Sequence, residues 1–84
     1  MSRIRISRGM LEVLEVFGAG GSMDAAWDRY SAQRPGSRPH RFDRVVEALV
    51  RSGLIGDDIT RTQITETGQL ALRMARAGIL RTAP

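Results

Sequence analysis

Apolar residues recur at helical spacing in three successive segments, give way to short β-branched runs, and then resume the helical pattern. Ser7 is suited to cap a first helix in which Met10, Val13, Leu14 and Phe17 form one face and Glu12 and Glu15 lie on the other. Gly18-Ala19-Gly20-Gly21 stops it. Ser22 then caps a second segment, where Met23, Ala26, Trp27 and Tyr30 follow the i, i+3, i+4, i+7 pattern and Asp24 suits the first turn. Trp27 and Tyr30 fall on its apolar face, so both are expected to be buried. Arg34-Pro35-Gly36 ends the segment.

The third helix is predicted over 37–52, with Ser37 as cap and Pro39 in the first turn, where its missing N–H is not needed. Phe42, Val45, Val46, Leu49 and Val50 make its apolar face. At about 100° per residue the opposite face carries His40, Arg44, Glu47 and Arg51, with Arg41 at its flank. Gly53 is placed to close the helix in a left-handed conformation. Leu54-Ile55-Gly56 and Gln63-Ile64-Thr65 flank Asp57 to Thr62 and predict a small two-stranded hairpin. Thr65 or Thr67 caps a last helix through Leu70, Ala71, Met74 and Ala77, ended by Gly78, and Ile79 to Pro84 reads as a frayed tail. The expected architecture is one α+β domain over 1–84, mostly helical, with its core in about 7–77 and flexible ends.

Eighty-four residues with 42% apolar content suffice for one core but not for a core and a deep catalytic cleft. With no cysteine and His40 as the one histidine, no disulfide framework or Cys/His metal site can be assembled. No nucleophile elbow, phosphate loop or paired acid/base cluster is present, so neither enzymatic activity nor a cofactor is expected. No apolar run approaches the roughly 20 residues that span a bilayer, and Met1 to Ile6 lacks a signal-peptide core, which predicts a cytoplasmic protein without a membrane partner.

Charge changes the picture more. The net charge is +4 and the pI about 11.3, and all thirteen basic residues are arginine. Arginine pairs bidentately with phosphate and guanine, although a GC-rich genome would produce the same bias everywhere. Position is therefore more telling than composition. The stretch Arg34-Pro35-Gly36-Ser37-Arg38-Pro39-His40-Arg41-Phe42-Asp43-Arg44 loads positive charge onto a helix start, where the dipole already disfavours it. A negatively charged partner explains that placement.

Two passages, Leu49-Val50-Arg51-Ser52-Gly53-Leu54-Ile55 and Ile64-Thr65-Glu66-Thr67-Gly68, resemble the "L-x-x-x-G-L-I" and "x-L-T-x-x-G" passages on either side of the wing in winged helix-turn-helix domains. The likeness is to MarR-like and PadR-like transcription regulators and covers about residues 7 to 77. It implies three helices, a short hairpin wing and a C-terminal helix, with the third helix in the major groove of double-stranded DNA and the wing on an adjacent backbone or minor groove. The turn from Ser31 to Ser37 is longer than the family's usual three or four residues. Asp57-Asp58 at the wing tip would be repelled by phosphate, leaving Arg61 and Thr62 as wing contacts. No long dimerisation helix is present, which leaves open a monomer, a homodimer through a small surface, or a larger protein assembly.

The resemblance and the charge together predict sequence-specific DNA binding by a small transcriptional regulator. Arg38 and Arg41 are assigned to phosphates at the helix start and Arg44 to a base edge, with Ser37, His40 and Arg51 on the same helix. Arg29 and Arg34 extend the stripe from the second helix into the turn, where such helices cross the DNA backbone, and Arg34, the better placed, is assigned to DNA. Arg3, Arg5 and Arg8 form either a basic arm or part of an edge strand with Ile4 and Ile6. The competing reading of the helix is a solvated face whose arginines pair with Asp43 and Glu47. For the whole molecule it is a winged-helix protein–protein adaptor that does not bind DNA.

Overall fold

A computed structural model describes residues 6–57, 62–78 and 82–83. Their order is β1 (Ile6–Ser7), α1 (Arg8–Gly18), α2 (Met23–Ala32), α3 (Pro39–Arg51), β2 (Ile55–Asp57), β3 (Thr62–Ile64), α4 (Glu66–Arg76) and β4 (Thr82–Ala83). The result is a small, mostly helical α+β unit. β2 and β3 pair antiparallel with Ile55 opposite Ile64, Gly56 opposite Gln63 and Asp57 opposite Thr62.

Local capping explains three of the four helix starts. Ser7 accepts from the Met10 N–H at 3.2 Å, Ser22 from Ala25 at 3.2 Å and Thr65 from Gly68 at 3.0 Å, each satisfying an amide that has no partner within its helix. Of the two candidate threonines, Thr65 is therefore the cap. α3 is the exception: it begins at Pro39 with Arg38 in the cap position and no side-chain cap bond, so Ser37 does not play the predicted role. Ser37 is instead the last residue of a turn in which its N–H donates to the Arg34 carbonyl at 3.0 Å. Pro35 and Gly36 occupy the middle of that turn, and Gly36 has a φ of 82°, the Pro-Gly signature of a type II turn. With the helix starting at Pro39, Ser37 stands one residue before the cap position.

At its far end α3 closes as predicted. Gly53 has a φ of 73°, its N–H donates to Val50 and that of Leu54 donates to Leu49, both at 3.0 Å, which is the paired bonding of a Schellman stop.

α1 is the centre of the packing, touching α2, α3, α4, β1 and β3. Its Met10, Val13, Leu14 and Phe17 are buried with Ala26 and Tyr30 of α2, Phe42 and Leu49 of α3, Leu54, Ile55, and Ala71 and Leu72 of α4. Between α2 and α3 the rings of Trp27, Tyr30 and Phe42 form a cluster. Phe42 lies 5.3 Å from Trp27 and 5.6 Å from Tyr30, centroid to centroid, both within the range of favourable aromatic pairing. This cluster seats the first turn of α3. Tyr30 is buried, while Trp27 is half-buried because it closes the outer rim of the cluster.

Three other expectations are corrected. The tail read as frayed contains β4, which pairs in parallel with β1, Ile6 opposite Thr82 and Ser7 opposite Ala83. Leu70 is 57% exposed, because α4 buries Gly68, Ala71 and Leu72 and so is rotated away from the predicted face. Val50 is exposed at the edge of the α3 apolar face rather than within it.

Candidate nucleic-acid interface

Phe42 and Leu49 anchor α3 to the core, and Val45, Val46 and Ala48 pack beside them half-buried. That docking fixes which residues face out. His40, Arg41, Arg44, Glu47 and Arg51 are exposed, as their helical spacing predicted, and so are Arg38 and Asp43.

Side-chain pairing separates the arginines. Arg51 donates to Glu47 at 2.9 Å, one turn away along α3, so Glu47 is a local ion-pair partner and Arg51 the residue it serves. Arg29 donates to Glu15 at 2.9 Å, from α2 to α1. Arg34 donates to Glu12 at 2.5 Å. Arg38, Arg41 and Arg44 form no ion pair among the described residues, and Asp43 neutralises none of them. Of the ion pairs that the solvated-face alternative invokes, Glu47–Arg51 is formed among the described residues.

The residues gather in two places. Arg34, Ser37, Arg38, His40 and Arg41, with Tyr30, Pro35 and Gly36, line an open groove of about 640 Å³ between the end of α2 and the start of α3. Arg44 and Arg51, with Glu47 and Ala48, border a smaller hollow of about 380 Å³ further along the exposed face of α3. α3 has no side-chain cap; Pro39 lacks an N–H and the Arg41 N–H donates to the Arg38 carbonyl at 3.0 Å, so the His40 N–H and the positive dipole end of the helix stand with the arginines.

Some predicted residues stand elsewhere. Arg61 lies outside the described residues, as do Arg3, Arg5 and Asp58, and Thr62 belongs to β3 with its side chain outside the described set. Arg8 opens α1 and is exposed. Glu12 is a member of the site that the sequence reading left on the back of α1. Its partner is 22 positions away, and no local spacing links the two.

Among the described residues no three His, Asp or Glu side chains gather where they could hold a metal ion, and no helix is long and apolar enough to cross a membrane. Comparison with protein-family models, with curated proteins and with solved structures gives no match.

Proposed function

We propose that this chain is a small winged helix-turn-helix protein that binds double-stranded DNA through α3 and acts as a transcriptional regulator. The observation that carries the reading is the set of three arginines, Arg38, Arg41 and Arg44, exposed and without ion-pair partners among the described residues, on a helix whose other face is anchored by Phe42 and Leu49. The order α1, α2, α3, hairpin, α4 agrees with the arrangement that the resemblance implies, with β2 and β3 as the wing.

In this reading Arg38 and Arg41 take phosphates at the uncapped start of α3, where the His40 N–H and the helix dipole add to the attraction. Arg44, one turn further on, faces the groove floor and takes a base edge, with guanine O6 and N7 the best match to its fork of donors. His40 lines the same groove as Arg38 and Arg41 and contacts phosphate or sugar. Arg51 is held by Glu47 and contributes to the field more than to a specific contact. Affinity comes mainly from phosphate neutralisation and counterion release, so it falls steeply with salt.

The test is electrophoretic retardation of a random duplex of ~25 base pairs at about 50 mM and about 200 mM salt. Retardation in low salt that weakens strongly at the higher salt is expected. No retardation at micromolar protein in low salt overturns the reading in favour of an adaptor that binds protein.

A further inference from the structure

Arg34 belongs to the same positive stripe as Arg38 and Arg41, yet its side chain is employed differently. Its Nη1 donates to Glu12 Oε2 at 2.5 Å and to the Tyr30 carbonyl oxygen at 3.4 Å. Its guanidinium carbon stands 4.5 Å from the centre of the Tyr30 ring, within the range of a cation–π contact. The Arg34 and Glu12 side chains are only 29% and 13% exposed, against 79% and 61% for Arg51 and Glu47, so this pair is partly removed from water and less screened, and stranding either partner is costlier. The main chain of the same residue accepts the Ser37 N–H that closes the Pro35-Gly36 turn.

One residue therefore ties α1, the last turn of α2 and the turn into α3. That tie matters because α3 lacks the side-chain cap that fixes the start of the other three helices. Its beginning is held from behind instead, by Phe42 in the aromatic cluster and by the Arg34 turn.

We infer that Arg34 is a positioning residue of the interface and not a DNA contact, and that Glu12 acts through it: the Glu12–Arg34–Tyr30 tie holds the turn that presents Arg38 and Arg41 to phosphate. The inference rests on the DNA-binding reading above. It carries an unusual sign. Removing a carboxylate from a protein that binds a polyanion ordinarily strengthens binding, whereas removing Glu12 loosens the turn and weakens it. Preorganisation is the reason, since a mobile turn must be ordered on binding at a cost in affinity.

The experiment compares Glu12→Ala, Arg34→Lys and Glu15→Ala with the unsubstituted chain, by anisotropy of a labelled duplex and by amide hydrogen exchange of the free protein. Glu15→Ala is the control: it removes the same charge from the same helix, but from the Arg29 pair. Glu12→Ala is expected to weaken binding by about threefold to tenfold and to speed exchange across Ser37 to Arg41. Arg34→Lys keeps the charge but loses the planar fork and its stacking on Tyr30, and is expected to do the same. Glu15→Ala binds as well as the unsubstituted chain or more tightly. If the unsubstituted chain binds while Glu12→Ala binds equally or more tightly, or leaves exchange unchanged, the positioning role is overturned alone. If the unsubstituted chain does not bind duplex, the DNA-binding reading is overturned and this role with it.

Discussion

The Thr65 hydroxyl donates to the Gly53 carbonyl oxygen across 2.5 Å while accepting the Gly68 N–H at 3.0 Å, so one side chain serves both the end of α3 and the start of α4. The Thr65 N–H adds a bond to the Leu54 carbonyl at 3.0 Å. The two passages that resemble the flanks of a wing, Leu49 to Ile55 and Ile64 to Gly68, are thus two sides of one junction. Gly68 completes it by close approach: a Cβ there would collide with the Leu54 carbonyl oxygen.

Gly68→Ala is predicted to destabilise the fold by about 2 kcal/mol or more, because the overlap is with backbone that cannot turn aside. Helix propensity alone predicts the opposite sign, a gain of roughly 1 kcal/mol. Urea unfolding followed by circular dichroism distinguishes them through the midpoint.

Much of this frame was legible in the sequence because it is set by local rules. Ser7, Ser22 and Thr65 cap as their position ahead of a periodic segment implies, and Gly53 closes α3 through its positive φ. The outward face of α3 followed from the spacing of Phe42 and Leu49. What escaped depends on distant parts of the chain. The β1–β4 pair joins residues about seventy-six apart, the Glu12–Arg34 tie spans 22, and the rotation of α4 that exposes Leu70 is set by the Gly68–Leu54 contact. Ser37 is not the cap because α3 starts at Pro39, which puts Arg38 in the cap position and Ser37 one residue before it, at the end of the Pro35-Gly36 turn.

Ile6 tests the end pairing. Its side chain is fully buried beside α1, where a free arm would leave it in water. Ile6→Ala is predicted to cost about 2–4 kcal/mol, read as a lowered unfolding midpoint. A change under about 0.5 kcal/mol, typical of an exposed position, would contradict the burial of this strand.

Phe42→Ala removes the ring against which Trp27 and Tyr30 pack, at a cost of about 3 kcal/mol. Trp27 is the single tryptophan, so its emission reports this junction directly. A red shift in the folded variant is expected as the indole gains water, and an unchanged spectrum would mean that the cluster does not seat α3.

The two ion pairs from α1, to Arg29 of α2 and to Arg34 of the turn after it, are predicted to differ in stability as they differ in burial. Glu12→Ala is expected to cost about 1–2 kcal/mol, since it strands a partly buried guanidinium. Glu15→Ala, from the more exposed pair, should cost under about 0.5 kcal/mol. Paired thermal melts at one ionic strength measure the difference, and equal losses would contradict the ranking.

The central claim is that α3 meets DNA with Arg41 and Arg44, and the most direct measurement is duplex affinity as a function of salt for the Arg41→Glu, Arg44→Glu double variant. Both side chains are exposed and unpaired among the described residues, so circular dichroism should show the fold intact. The account predicts weaker binding and a slope of log K against log salt shallower by roughly 1, as the Arg41 phosphate contact is lost together with the Arg44 base contact. Binding with unchanged affinity and unchanged slope would contradict it.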